Sequence, residues 1–293
     1  MLNYKRLEGG LRTRELFNRE STPDRPLLSI ITVCRNSEKY LEHTIQSVIN
    51  QTYDNIEYII IDGASTDGTL SIIKKYENHI AYWMSEPDRN MYDAMNKGLY
   101  LMSGEYWAIL NSDDYYFPDT IQKVIFYFKR HPEKEVVSGS VKLVDANGKY
   151  IVTWYSVKFN VKSMIRMKTN GIISHPATFL HKTVVEKVGN FNVEYPVISD
   201  YDFLIRVGLK CSVGNSRNVL VNSRSHKGKM SLNESSKEQK EENRRVIVSY
   251  YRKKYNVNMG LVWWDYYRII FNNPIYVLKA FFRRLMRHFR ILN

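Results

Sequence analysis

Apolar residues set the rhythm of the first half of the chain. Leu28-Ser29-Ile30-Ile31-Thr32-Val33 and Ile56-Glu57-Tyr58-Ile59-Ile60-Ile61 are nearly continuous apolar, β-branched runs, as expected of strands covered on both faces. Between them Tyr40, Leu41, Ile45, Val48 and Ile49 share one helical stripe, and a second helix is predicted from Thr69 to about Tyr76. A short strand (Ala81 to Met84), a helix (Met91 to Leu101) and a strand (Tyr106 to Leu110) continue the pattern. Strand and helix alternating at this spacing predict βαβ units and a parallel sheet. Right-handed crossovers then bring the ends of these strands, with Thr32, Asp62 and Asn111-Ser112-Asp113-Asp114, to one edge.

The second half is less regular. A helix is predicted from Pro118 to Arg130, then strands at Glu135 to Asp145 and Tyr150 to Trp154 joined by an Asn147-Gly148 hairpin turn. A strand over Ile172 to Leu180, a helix over Ser199 to Gly208, a strand over Val219 to Ser223 and a polar helix over Ser235 to Tyr255 follow. Three regions result. Residues 1–26 form a basic leader expected to pack loosely or stay mobile. Residues 27–230 form the main α/β domain, with halves at 27–115 and 116–230. Residues 231–293 form a helical C-terminal region ending in a basic tail.

Charge sharpens this picture. The net charge of +13 asks for an anionic partner such as a phosphorylated small molecule, a nucleic acid or an anionic membrane. Between Leu261 and Asn293 six basic residues face Asp265 alone. Beyond the Asn273-Pro274 start signal, Leu278, Phe281, Phe282, Leu285, Phe289 and Leu292 share one helical face flanked by Lys279, Arg283, Arg287 and Arg290. An aromatic, basic amphipathic helix of this kind suits an anionic membrane surface, or else docks on its own domain or on a second subunit. Cys34 and Cys211 fit neither a disulfide framework nor a metal spacing, and no secretory leader or run of about 18 apolar residues is seen, so a cytoplasmic protein is expected.

The chemistry narrows further. Neither GxGxxG nor GxxxxGK[ST] is present, so a bound diphosphate needs a counter-charge other than a glycine-rich cradle. Two adjacent carboxylates after a buried strand, Asp113 and Asp114, can hold a divalent cation that bridges phosphate oxygens. Asp-Asp pairs also serve as turn and cap residues, Asp62 can cap its own loop, and Glu86-Pro87-Asp88-Arg89 can be a solvated turn.

Taken in order, Thr32-Val33-Cys34-Arg35-Asn36, Asp62 to Thr69, Ser85 to Arg89, Ala94 to Gly98, Gly104-Glu105 and Asn111 to Asp114 resemble the family 2 glycosyltransferases. These are inverting enzymes of the GT-A fold, a Rossmann-like mixed sheet with nucleotide-binding and acceptor halves. The resemblance covers about residues 27 to 230. It implies nucleotide contacts at Thr32 and Asp62, basic groups near the diphosphate at Arg89 and Lys97, and Mn²⁺ or Mg²⁺ at Asp113 and Asp114, with Asp114 the direct ligand. Ile198 to Arg206 resembles the family's Glu-Asp motif, with Ser199 in place of the Glu. That leaves Asp200 as the general base and Asp202 as runner-up, the latter also explained as first-turn charge on a helix. Ser223 to Gly228 resembles a late motif whose histidine, here His226, supplies a further metal contact; a loop histidine is the alternative. His175-Pro176-Ala177-Thr178-Phe179 falls where the family shapes its acceptor pocket, and packing is the role expected of it.

The resemblance therefore implies transfer of a sugar from a nucleoside-diphosphate donor, UDP being favoured, to a lipid-linked glycan for surface polysaccharide such as capsule or O-antigen. The partners expected are the donor, the lipid-linked acceptor and the inner face of the cytoplasmic membrane, with a homo-oligomer left open. A loop over Asn215 to Lys229 is the expected lid. A nucleotidyltransferase would also use paired carboxylates, but Cys34-Arg35-Asn36-Ser37 is not its glycine-rich loop. A nucleic-acid-binding protein would need a groove-reading motif, and none is seen.

Overall fold

The structure is a computed structural model that describes residues 5–167, 174–229 and 237–257. Ten strands form one sheet among these residues. The first half contains β1 (Leu7–Gly9), β2 (Leu28–Cys34), α1 (Leu41–Ile49), β3 (Ile56–Asp62), α2 (Thr69–Lys75), β4 (Tyr82–Ser85), α3 (Met91–Leu101) and β5 (Tyr106–Ile109). The second contains β6 (Tyr115–Tyr116), α4 (Thr120–Arg130), β7 (Val136–Val144), β8 (Tyr150–Trp154), α5 (Val161–Met167), β9 (Thr178–His181), α6 (Thr183–Val188), α7 (Ser199–Lys210), β10 (Val213–Arg224) and α8 (Lys237–Tyr255). The order across the sheet is β1-β4-β3-β2-β5-β9-β7-β10-β6, with β8 on β7. Strands β4, β3, β2 and β5 run parallel, and β9 turns the sheet antiparallel between β5 and β7.

Alternation along the central strands divides the core. Leu28 and Ile30 of β2 and Tyr58 and Ile60 of β3 face α1 and α4, meeting Leu41, Ile45, Ile121 and Val124. Ile31 and Val33 with Ile59 and Ile61 face the other way, onto Tyr92, Met95 and Leu99 of α3 and Phe203 and Val207 of α7. A further cluster joins Met164 and Ile165 of α5, Leu204 and Ile205 of α7, and Ile247 and Val248 of α8. Helix α3 lies so close to β2 that a Cβ at Gly98 would stand 2.4 Å from Ile31 Cγ2. Asn90 starts that helix as an N-cap, its side chain accepting from the Tyr92 and Asp93 amides.

Two expectations change. The leader is not loose between residues 5 and 26. Strand β1 pairs antiparallel with β4, and Arg12 reaches the fully buried Glu57 carboxylate of β3. Ser29 and Ser103 complete that carboxylate's shell, while Arg19 binds the Ile56 carbonyl at 2.6 Å. Nor can Asn215 to Arg224 be a lid, because β10 is hydrogen-bonded to β7 on one side and β6 on the other. Within the strand expected over Ile172 to Leu180, residues 168–173 are outside the described set and a 3₁₀ turn at His175–Ala177 precedes β9. The expected tail helix beyond Pro274 also lies outside the described residues.

Candidate active site

Loops at the C-terminal ends of the four parallel strands make one edge, where open α/β sheets bind ligands. The loops after β2 and β3 are stitched together: Asn36 N–H donates to Ser65 Oγ (2.8 Å), and Thr66 N–H donates to Asn36 Oδ1 (2.9 Å). Asn36 and Ala64 both adopt positive φ, 50° and 57°. For Ala64 that conformation is disfavoured, and the neighbouring Asp62 side chain holds the loop in it. Asp62 Oδ2 accepts from Ser65 N–H (3.0 Å) and Ser85 Oγ–H (2.7 Å), and Oδ1 from Ser65 Oγ–H and the Cys34 thiol (3.6 Å). Burial and this carboxylate push the Cys34 thiol well up, so it stays an un-ionised structural thiol.

The acidic pair sits where β5 ends, and its two members differ. Asp114 is fully buried. Its Oδ1 accepts from Arg224 N–H (2.8 Å) and the Lys229 ammonium (2.9 Å), and its Oδ2 from Asn111 Nδ2 (3.1 Å). Asp113 is the more open, with 15% of its side chain accessible; its Oδ2 lies 2.9 Å from His226 Nε2 and 3.4 Å from Lys229 Nζ. Burial raises the Asp114 carboxyl, an effect that the Lys229 charge opposes and Asp113 reinforces. Burial alone would lower Lys229, but Asp114 and Asp113 outweigh it and raise the ammonium above its ordinary value. Arg224 completes the cluster. Its guanidinium lies over the rings of Tyr40 and Tyr115, donates to the Asp113 carbonyl (3.2 Å) and contacts His43 Nδ1 (3.1 Å).

Asp200 stands in the first turn of α7 and accepts from the phenol of Tyr92 on α3 (3.0 Å). Burial lowers the His175 imidazole, while the Asp200 and Asp114 charges act to raise it. Asp202 faces elsewhere. It is buried, bound by Arg206 Nε and by Tyr251 Oη of α8, each at 2.9 Å, and therefore fastens helices. Ser199, in place of the glutamate, is fully buried, and among the described residues its hydroxyl has no hydrogen-bond partner.

Of the residues singled out in the sequence, Asp113 meets His226, and Lys229 joins Asp113 to Asp114, while Asp200 is held by Tyr92. The others take different places. Thr32 is wholly buried with its Oγ1 accepting from Tyr58 Oη (3.1 Å), so its side chain is a core contact, not a ligand contact. Asp62 is sealed by the loop it organises. Lys97 is enclosed by Asp88 (2.6 Å), Glu86 (2.7 Å) and Asp93 (3.9 Å), which makes it the fastener of the turn after β4. Arg89 is exposed on that turn. Lys229, Arg224 and Tyr92 are the additions. Lys229 follows the His226 motif by three residues, a signal that sequence reading could have used; Tyr92 shows no polar signature on its apolar helix stripe.

The family model described as glycosyl transferase family 2 matches residues 29–189. An uncharacterized glycosyltransferase of Mycobacterium tuberculosis is 30% identical over 67% of this chain and 74% of its own length. A PGL/p-HBAD biosynthesis glycosyltransferase of Mycobacterium bovis is 30% identical over 62% and 69%. Among solved structures, S. aureus TarS 1-349 in complex with UDP-GlcNAc superposes with a TM-score of 0.59 at 19% identity, covering 77% of this chain and 66% of that one. Without that ligand, TarS 1-349 is matched over 60% of its length. A Pyrobaculum calidifontis mannosyltransferase, PcManGT, in complex with GDP-Man and Mn²⁺ gives 0.53 at 18%, covering 74% and 63%. The shared architecture is the GT-A-like sheet.

Proposed function

The chain belongs to glycosyl transferase family 2, and from that premise we propose that it moves a sugar from a nucleoside-diphosphate donor, a UDP-sugar foremost, onto a glycan hydroxyl with inversion. The observations that carry the proposal are the contacts of Asp113 with His226 and Lys229 in the loops at the strand ends, and the Asp200 carboxylate held by Tyr92 in the first turn of α7. Solved neighbours hold UDP-GlcNAc or GDP-Man.

Asp200 is assigned the proton of the attacking hydroxyl, and Tyr92 sets its orientation. In-line attack opposite the departing diphosphate inverts the anomeric carbon, so an α-linked donor yields a β-linked product. Asp113 faces the donor, whereas Asp114 anchors the loop after β5 to β10. Arg89 and the exposed Arg35 and Lys39 give the edge a positive field that favours a diphosphate.

Divalent metal is common in this fold, and PcManGT holds Mn²⁺. The donor set here tests that expectation. Both oxygens of Asp114 accept hydrogen bonds, and an ammonium lies between the two carboxylates. Among the described residues no three His, Cys, Asp or Glu side chains could hold an ion together. These donors as arranged do not fit a divalent cation.

For the acceptor, a lipid-linked glycan is proposed, supported by the net charge of +13 and by relatives named for PGL/p-HBAD biosynthesis. Among the described residues no helix is long and apolar enough to cross a membrane, so contact with the inner membrane face is assigned to the basic tail.

The test is a thermal-shift panel of UDP, GDP, dTDP and CDP on wild type and Asp113→Asn. A ligand at 100 times its Kd stabilises by about 2.7 kcal/mol. A shift with one nucleotide that shrinks in the variant supports the donor site; no shift with any of them defeats it.

A further inference from the structure

Lys229 Nζ lies 2.9 Å from Asp114 Oδ1 and 3.4 Å from Asp113 Oδ2, so an ion bound to those same two oxygens would have to take its place. We infer that this ammonium is the built-in counter-charge of the acidic pair, and that the donor's diphosphate binds here without added divalent metal. The inference rests on the donor-site reading above and goes beyond it by naming the cation.

The position is constructed, not a chance pose of a surface lysine. Nζ also donates to the Arg224 carbonyl (2.8 Å) and Ser223 Oγ (3.2 Å), and only 17% of the side chain is accessible. Those two acceptors belong to the end of β10, which β7 and β6 hold on either side, so the ammonium is tied to the sheet. Both oxygens of its partner Asp114 are already engaged by N–H donors. A small divalent cation needs oxygen ligands at about 2.0–2.1 Å in near-octahedral array. Here the same oxygens sit at hydrogen-bond distance from N–H donors of the backbone, Asn111 and Lys229.

Charge accounting points the same way. Asp113 and Asp114 carry two negative charges, and Lys229 and Arg224 supply two positive ones within the same cluster. A divalent ion added there would meet an ammonium at close range in a partly dry site, where like charges repel strongly. With the pair already neutralised, a diphosphate meets no net negative charge, and Lys39, stacked over Tyr40 beside His226, adds to the attraction. The accessible part of Lys229 and the longer contact to Asp113 leave room for a phosphate oxygen to replace that contact.

The experiment measures binding of UDP, GDP, dTDP and CDP calorimetrically to the full chain, once in EDTA and once in Mn²⁺. Whichever nucleotide binds is expected to do so in EDTA with a Kd within about threefold of that in Mn²⁺, and Lys229→Met is expected to weaken the EDTA value by about tenfold or more, Lys229→Arg by less. Mn²⁺ paramagnetic resonance without nucleotide gives a second readout. Wild type should leave the free-ion signal intact, and Lys229→Met should attenuate it by exposing the two carboxylates. Binding that appears only with Mn²⁺, or stoichiometric Mn²⁺ uptake by wild type, overturns the inference while leaving the donor site standing. No binding by any nucleotide in either buffer removes the donor site itself and the inference with it. The wild-type comparison stands even if the methionine variant fails to fold.

Discussion

The phenol of Tyr92 donates to Asp200 across 3.0 Å and so couples helix α3 to the first turn of helix α7. Tyr92 is 1% exposed, and burial together with the Asp200 charge pushes its proton affinity well up, so it remains a donor throughout the working pH range. A hydrogen bond to a charged group contributes about 1.5–3 kcal/mol. Tyr92→Phe should therefore lower kcat by roughly 10- to 100-fold with little change in donor KM. Asp200→Asn should cost about 10²- to 10⁴-fold. Release of nucleoside diphosphate from the donor identified in the binding panel measures both. Full turnover by Asp200→Asn would end the general-base assignment.

Asp202, two residues on, should behave in the opposite way. Its carboxylate holds Arg206 on its own helix and Tyr251 on α8. Asp202→Asn should lower stability by about 1–3 kcal/mol, a fall of several degrees in Tm, while nucleotide affinity stays unchanged. A selective loss of turnover without loss of Tm would restore it as a candidate base.

These two residues show what was legible beforehand. Continuous apolar runs placed β2 and β3, and the helices expected at Met91 and Ser199 match α3 and α7, all within about two residues, because burial dictates both the pattern and the element. A side chain's direction is less accessible. Thr32 and Asp62 sit at the expected strand positions, yet one hydroxyl turns toward Tyr58 and one carboxylate is consumed by Ser65 and Ser85. Long-range charge pairing was also hidden. Arg12 meets Glu57 from 45 residues away and Lys229 meets Asp114 from 115, separations at which no local pattern links the partners.

Gly98 offers a packing test independent of chemistry. A methyl group there would stand 2.4 Å from Ile31 Cγ2, at the contact where α3 crosses β2. Gly98→Ala adds helix propensity but forces the helix outward, and overpacking of this kind costs about 1–3 kcal/mol. Denaturant titration should show a lower midpoint with an unchanged m-value. Because Asn90 and Tyr92 ride on the same helix, turnover should fall along with stability.

His175 makes stability depend on pH in a defined direction. Burial lowers its imidazole below the ordinary 6.5, although Asp200 and Asp114 pull upward. A folded-state value below the unfolded one means that the folded chain binds fewer protons. The stability linked to this group is therefore complete above about pH 6.5 and is lost as pH falls through the folded value. Wild-type Tm should drop between pH 7.5 and 5.5 by more than that of His175→Gln. Parallel Tm profiles for the two proteins would show that the imidazole does not titrate across this window.

The buried ion pair at the opposite end of the sheet tests whether the leader is part of the fold. Glu57 is fully buried, and Arg12 is the cation that faces it, beside Ser29 and Ser103. Breaking a buried pair leaves an uncompensated charge, at a cost of about 3–5 kcal/mol. Since a quarter of the Arg12 side chain is accessible, solvent screening moves the expectation for Arg12→Met to about 2–3 kcal/mol. That corresponds to a Tm lower by roughly 4–10 °C. Arg12→Met with Glu57→Gln should recover a large part of the loss, because the amide needs no counter-charge while Ser29 and Ser103 still bind it. If Arg12→Met alone leaves Tm unchanged, the leader does not neutralise Glu57. Nucleotide affinity should be the same in all three proteins, since Glu57 lies near the N-terminal end of β3 and the donor loops lie beyond its other end.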